Sequence, residues 1–279
     1  MGVDGSLRRR LEQPGIVVCP GVYDGLTARI AAAAGFDVLY MTGYGTAAAH
    51  GFPDIGLLGL TEMAANAARI VDASGAHIIA DADTGYGDHR NVVRTVREFE
   101  RAGVSGIQLE DQTWPKKCGH MAGKGVIAKE EMVTKLRAAV DSRRDQDFLI
   151  VARTDAIAVK GFEAAVDRGH AYAEAGADIL FLEAPIDEEQ MRRIPEALPE
   201  RPHVANMAPR TPLYSQDQLQ TFGYKIVVHA GLFLSAVLQG CRDEAAYLRE
   251  NGVPADPGEW RNKFDAINSF LGLREYPEE

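Results

Sequence analysis

Short apolar runs recur along the chain, and each is followed by a longer stretch of helical periodicity. The runs are 15–20, 37–42, 77–83, 106–111, 148–155, 178–184, 203–207 and 224–230, rich in Val, Ile and Leu. They are too short for helices, and continuous apolar strands of this kind are buried on both faces, as in a parallel sheet. Between them lie amphipathic stretches at 25–34, 61–73, 90–102, 129–143, 161–175, 188–197 and 215–222. Ala34-Gly35, Ala102-Gly103 and Ala175-Gly176 each stand just before a strand, as helix-capping glycines do. Eight strands alternating with helices predict an α/β fold of the (β/α)8 TIM-barrel type. A doubly wound sheet is the alternative, but no Gly-x-Gly-x-x-Gly follows the first strand. Two further helical segments, 232–251 and 257–271, exceed what a minimal barrel needs. We expect one barrel domain over 1–279, with 232–279 a helical packing or oligomerisation element.

In such a barrel, chemistry gathers where strands end at their C-termini. Strand two ends Tyr40-Met41-Thr42-Gly43-Tyr44-Gly45, and strand three ends Asp81-Ala82-Asp83-Thr84-Gly85-Tyr86-Gly87. Strands four to seven end in Glu110-Asp111, Arg153-Thr154-Asp155, Glu183 and Asn206. Asp81 and Asp83, two apart on a strand, are expected to share a face. With Glu110 they make an all-oxygen acidic pocket suited to Mg²⁺, and Mn²⁺ would also fit. Asp54 reads either as a carboxylate acting behind the metal or as a turn residue. Arg153 at the end of an apolar strand needs a partner. It reads as an ion pair with Glu183 or Asp155, as a bidentate clamp on a substrate carboxylate, or as both. Asn206 and the backbone amides of 42–45 are neutral donors.

Beyond strand four runs Lys116-Lys117-Cys118-Gly119-His120, then Gly123-Lys124-Gly125. Cations lower a thiol's pKa, and Lys116, Lys117 and a protonated His120 could do so for Cys118. Gly119 lets backbone approach a ligand, and the glycines suggest a hinged lid. The plain alternative is a solvated loop with a spare thiol. His77, His89, His170, His203 and His229 show no ligand spacing and read as structural. Cys19 and Cys241 read as packed thiols.

Composition narrows the partners. The 279 residues are 46% hydrophobic and 25% charged, with a net charge of −10. That charge argues against nucleic acid or an anionic membrane as partner. No apolar run approaches bilayer-spanning length, and the polar, Arg-rich first ten residues do not read as a signal peptide. Three cysteines fit a reducing, cytoplasmic setting.

The lid motif, with 81–87 and Leu109-Glu110-Asp111-Gln112, resembles the isocitrate lyase/phosphoenolpyruvate mutase superfamily over nearly the whole chain. Its length is similar to the short methylisocitrate lyase, dimethylmalate lyase and oxaloacetate hydrolase members. The resemblance implies a Mg²⁺-dependent, homotetrameric carbon–carbon lyase that swaps C-terminal helices. It implies that Asp83 ligates the metal, with Asp81, Asp54 and Glu110 acting mainly through bound water. Thr42, Gly43 and Tyr44 would hold the 2-oxo acid portion, with Gly119, Arg153, Glu183 and Asn206 around the substrate. Arg261 matches an arginine on the swapped helix. Cys118 would protonate the departing carbanion, tuned by His120 and the lysines, including Lys117, and Tyr40 is a candidate base. Methylisocitrate lyases carry an arginine where Ser235 stands and a threonine where Ala208 stands. Oxaloacetate hydrolases tend to have a serine at Ala230. These departures imply a substituted-malate dicarboxylate rather than a tricarboxylate. Oxaloacetate hydrolase and methylisocitrate lyase are the enzymatic alternatives, and a non-catalytic ligand-binding barrel is the alternative of a different class.

Overall fold

The computed structural model describes residues 6–275, the side chains of Pro257, Trp260, Arg261 and Glu275 excepted. The elements run α1 (Leu7–Glu12), β1 (Val17–Val22), α2 (Gly25–Ala33), β2 (Val38–Met41), α3 (Gly43–Ala49), α4 (Leu60–Ser74), β3 (His77–Asp81) and α5 (His89–Arg101). They continue β4 (Gly106–Glu110), α6 (Lys129–Ser142), β5 (Leu149–Thr154), α7 (Ala156–Lys160), α8 (Phe162–Glu174), β6 (Ile179–Leu182) and α9 (Glu188–Ala197). Then come β7 (Val204–Asn206), α10 (Gln216–Phe222), β8 (Ile226–His229), α11 (Leu232–Asn251) and α12 (Trp260–Phe270). All eight strands pair in parallel in the order β6-β5-β4-β3-β2-β1-β8-β7. A parallel bridge between Leu180 and His203 joins the two outer strands, so the sheet closes into a (β/α)8 barrel.

Alternation along the strands sorts side chains into two layers. Leu39, Met41, Ile78, Ala80, Ile107, Leu109, Ile150, Ala152, Leu180 and Leu182 pack outward against the helices. Val17, Cys19, Val38, Tyr40, Ile79, Leu149, Val151, Ile179, Phe181, Val204, Ile226 and Val228 form a second cluster with Leu7 of α1. On that inward parity, the next positions along the strands are Asp81, Glu110, Arg153, Glu183 and Asn206. The apolar interior thus gives way to a polar C-terminal mouth, while Leu7, 1% exposed, packs into the opposite end.

Strand and helix boundaries fall within a few residues of the sequence reading, and Gly35, Gly103 and Gly176 have φ of 92°, 82° and 97° after their helices. Three short helices were not expected. Gly43-Tyr44-Gly45 is a poor helix start by propensity, but Thr42 caps α3, its Oγ1 accepting from Gly45 N at 3.3 Å. α1 and α7 are too short to carry a periodic signal. Strand β3 stops at Asp81, so Asp83 does not share a strand face with it. Asp83 sits beyond the strand in a turn with φ of 48°. The described residues fall into two compact units that divide between Leu234 and Ser235. In the second unit, α11 buries none of its residues, and Leu238, Tyr247, Leu248, Phe264 and Ile267 are exposed apolar side chains.

Candidate active site

Six carboxylates gather buried at the mouth: Asp54, Asp81, Asp83, Glu110, Asp155 and Glu183. Three permanent cations are buried among them: Lys116, Arg153 and the Lys124 side chain. With every group counted as ionised, six less three leaves a formal excess of three negative charges. Burial, with Asp81 and Asp54 adding repulsion, pushes the Asp83 carboxyl up to about 6 in spite of Lys116. Burial likewise drives Glu110 well above the usual carboxylate range. Burial also raises Asp155 and Glu183, but the Arg153 guanidinium reverses this for both, helped by Lys124 at Asp155 and His120 at Glu183. Both carboxyls end below the usual range.

The parts interlock. Asp83 N donates to Asp81 Oδ1 at 3.1 Å, and Gly43 N donates to Asp81 Oδ2 at 3.3 Å. A Cβ on Gly43 would stand 2.7 Å from that same oxygen, so glycine is what lets α3 begin there. Arg153 donates from Nε and Nη2 to Asp155 at 2.9 and 3.1 Å, and Nη2 lies 3.4 Å from Glu110 and 3.3 Å from Glu183. The guanidinium fork is therefore spent on Asp155, and that edge offers no bidentate grip to a substrate carboxylate. Asn206 Nδ2 donates to Glu183 Oε2 at 3.4 Å, while Asn206 Oδ1 and Glu110 Oε1 are buried without hydrogen-bond partners. Tyr40, 5% exposed, is raised well above the ordinary phenol range by burial and by Asp81. Burial and Asp81 thus disfavour the phenolate that a Tyr40 base would need. Tyr44 is 43% exposed, at the start of α3.

The loop 112–126 lies down on this mouth. Its legs are stitched by an antiparallel bridge between Gln112 and Val126 and by Thr113 N to Gly125 O at 3.0 Å. Lys116 Nζ donates to Asp54 Oδ1 at 2.5 Å and stands 2.6 Å from Asp83 Oδ1. Cys118 N donates to Asp54 O at 3.0 Å. A Cβ on Gly119 would meet Arg153 Nη2 at 2.2 Å and Glu183 Cγ at 2.8 Å, so backbone touches the charged floor where only glycine fits. His120 Nε2 stands 3.1 Å from Glu183 Oε1, off hydrogen-bond alignment, and its Nδ1 accepts from Arg210 N at 3.3 Å.

These contacts correct the expected tuning of the thiol. Lys116 is engaged by carboxylates, Lys117 Nζ donates to Gly123 O at 3.2 Å, and His120 faces Glu183. Burial is the largest influence on Cys118 and raises it, opposed by the His120 amide and by Arg153. The thiol is kept protonated. Arg261 lies on α12, and its side chain falls outside the described residues.

Sequence reading missed Lys116 as the partner of Asp54 and Asp83. It also missed Gln108, whose Nε2 approaches Asp81 at 3.5 Å, and the link between Arg210 and His120. Gln108 could have been found, since it shares the inward parity of Glu110. Two bends were invisible: Tyr86 and Ala184 hold φ of 59° and 60° close behind strand ends, a left-handed region that non-glycine residues seldom occupy.

Among the described residues, no group of three or more His, Cys, Asp or Glu is arranged as a ready metal cage. The donor set nonetheless fits a hard divalent cation. Every ligand atom is oxygen, the acids formally outnumber the cations by three, and Glu110 Oε1 lacks a donor. Mg²⁺ characteristically takes one or two carboxylates and keeps several waters.

Residues 7–249 match the family model described as phosphoenolpyruvate phosphomutase. The chain is 46% identical over 281 residues to 2,3-dimethylmalate lyase of Eubacterium barkeri, covering all of this chain and 97% of that protein. It is 44% identical over 252 residues to 2-methylisocitrate lyase of Aeropyrum pernix, covering 90% and 81%. A crystal structure of 2,3-dimethylmalate lyase superposes with TM-score 0.92 at 39% identity, covering 96% and 91%. Oxaloacetate acetylhydrolase with 3,3-difluorooxalacetate gives 0.90 at 37%, covering 97% and 93%. A phosphonopyruvate hydrolase complex with oxalate and Mg²⁺ gives 0.81 at 27%, covering 94% and 96%.

Proposed function

The chain belongs to the phosphoenolpyruvate mutase/isocitrate lyase superfamily, as an enzyme of its carbon–carbon lyase type, and we propose that it cleaves a 2-hydroxy dicarboxylate of the substituted-malate type. The observation that carries the chemistry is the place of Cys118, on a loop closed over a mouth of carboxylates and one arginine, where burial raises the thiol. A thiol raised by burial is a poor nucleophile but a proton donor in its donating form.

In this reading the substrate hydroxyl gives its proton to a carboxylate at the mouth, and the adjacent C–C bond breaks. One fragment becomes the 2-oxo acid. The bonding pair stays on the carbon beside the other carboxylate, and Cys118 delivers a proton there. Asp83, with Asp81, Asp54 and Glu110, would hold Mg²⁺ or Mn²⁺, which supplies Lewis-acid charge for the substrate's oxygens when bound. Thr42, Gly43, Tyr44 and Gly119 present backbone to the substrate. Glu183 and Asn206 border it, Arg153 sets the local positive charge, and Arg261 would come from the swapped helix of a neighbouring subunit. The side chains of His120 and Lys117 hold the loop's shape, and of these two residues only His120, through its amide, acts on the thiol. The exposed apolar side chains of α11 and α12 support an oligomerisation role for that element, in a homotetramer. No helix among the described residues is long and apolar enough to cross a membrane.

Ser235 and Ala208 stand where methylisocitrate lyases carry an arginine and a threonine, which leaves a third carboxylate without an obvious cationic partner. A missing charge-assisted contact is worth roughly 1.5–3 kcal/mol, so substituted malates should be preferred over methylisocitrate by about 10- to 100-fold in kcat/KM. The test measures 2-oxo acid release from a panel of malates, oxaloacetate and methylisocitrate, with and without EDTA. Turnover should vanish in EDTA and return with Mg²⁺ or Mn²⁺. Equal or faster cleavage of methylisocitrate overturns the substrate reading, and undiminished turnover in EDTA overturns the metal.

A further inference from the structure

Lys124 has no part in the chemistry above, yet its side chain is only 2% exposed. It sits on the returning leg of the loop, between Gly123 and Gly125. Its Nζ donates to Asp155 Oδ1 at 2.6 Å and also to the carbonyl of Gly119. One ammonium therefore ties three places together: the returning leg, the turn that carries Cys118, and the end of β5. A lysine suits this junction, because its compact charge carries three donors that can serve a carbonyl and a carboxylate at once.

The seat of this contact is built behind the mouth. The Asp155 carboxylate is held by Arg153, and Asp155 N donates to Asp111 Oδ1 at 3.0 Å. Asp111 is fully buried and accepts from Thr154 Oγ1, Arg168 Nη1 and Tyr172 Oη, each at 2.7 Å. Arg168 Nη2 then donates to Ile127 O at 2.7 Å, and Ile127 N donates to Asp111 O at 2.9 Å. One interior carboxylate fixes both the latch point and the rear hinge of the loop.

We propose that Lys124 is a positioning residue that latches the loop to Asp155, and so holds the Cys118–His120 turn over the mouth, on a seat set by Asp111 and Arg168. This rests on the reading that the loop carries the proton donor. The energetics suit a reversible contact. When the loop is down, a charge pair is desolvated, and when it lifts, water receives both ions. The two costs nearly balance. The loop buries few apolar side chains, so its closed population depends on a small number of polar ties, among them this one.

The test compares the full-length wild type with Lys124→Met and Lys124→Arg. Hydrogen exchange is read on peptides spanning 113–127, and kcat and KM are read on whichever acid the wild type cleaves fastest. In Lys124→Met the amides of Cys118 and Met121, bonded to Asp54 O and Cys118 O, should exchange at least about 10-fold faster, at an unchanged melting temperature. The kcat should fall about 10- to 100-fold, the cost of a misplaced reactive group, with a smaller change in KM. Lys124→Arg should recover part of both. Unchanged exchange in Lys124→Met overturns the latch, and faster exchange with an unchanged kcat overturns its positioning role. Should the wild type cleave none of the acids offered, the substrate reading falls, and loop exchange alone still decides the latch.

Discussion

The two ends of this barrel are built on the same inward-facing positions and finished in opposite ways. At the N-terminal end those positions carry Val17, Val38, Leu149, Ile179 and Ile226, and Leu7 packs among them. The charges there are paired near the surface, as Arg10 with Asp37 at 2.7 Å and Arg8 with Asp178 at 2.9 Å. At the C-terminal end the same parity carries Asp81, Glu110, Arg153, Glu183 and Asn206, three acids against one arginine, with Glu110 Oε1 and Asn206 Oδ1 left without hydrogen-bond partners. Burying charge is costly unless it is matched. The fold bears that cost at one end only, the end where barrel enzymes place their chemistry. Substitutions at the mouth should therefore cost turnover, and substitutions at the base should cost stability.

The sharpest break of this contrast is Cys118→Ser. A hydroxyl keeps the volume but is a far weaker acid, so kcat should fall at least about 10²-fold. The melting temperature should not move, because Cys118 is only partly buried on the loop. Near-normal kcat would reduce the thiol to a loop residue. Gly119→Ala should follow closely. Its Cβ would stand 2.2 Å from Arg153 Nη2, so the loop could not close fully, and misplacement of this kind costs about 10²-fold. Here kcat falls while the fold, read by circular dichroism, stays intact. A fully active Gly119→Ala would mean that turnover does not use the closed state seen here.

At the base the expectation reverses. Leu7→Ala removes a side chain that is 1% exposed within the interior cluster, and large-to-small changes of this kind cost about 2–5 kcal/mol. The denaturant midpoint should fall while kcat per folded molecule holds. A tenfold loss of kcat without a loss of stability would show that the base is coupled to the mouth.

How far each end was legible follows from the same physics. The strands were readable because parallel strands buried on both faces must be apolar. The mouth was readable because a polar residue that ends such a strand has few other uses. The lid was readable as a motif, but its contacts were not. Lys116 and Lys117 are adjacent and alike in sequence, yet one is buried between Asp54 and Asp83 and the other reaches Gly123 O. That difference depends on how the loop lies across the barrel, which no local pattern encodes. The base plug was not read at all, because six residues with three arginines give no amphipathic signal. Asp83 was placed on the right end for the wrong reason, since a left-handed turn and not strand alternation presents it.

The smallest expected effect sets one buried group at each end against the other by the sign of its pH dependence. His203 stands just before β7, at the base, and is 2% exposed. Its Nε2 donates to Leu198 O at 2.7 Å, and its Nδ1 has no partner. Burial lowers its pKa below the usual 6.5, opposed by the Leu198 carbonyl and by Glu200. The unfolded chain thus takes up a proton near pH 6.5 that the folded chain refuses. The stability from the neutral ring is present above that pH and is lost as pH falls below it, with a slope of at most about 1.4 kcal/mol per pH unit for one group. Glu110 at the mouth has the opposite sign. Burial raises its carboxyl in the folded state, so it binds a proton more readily there than in the unfolded chain, and its contribution grows on acidification. In EDTA, His203→Gln should flatten the loss of denaturation midpoint between pH 7.5 and 5.5, and Glu110→Gln should steepen it. If His203→Gln tracks the wild type at every pH, the imidazole is already solvated, and the base of the barrel is more open than its packing states.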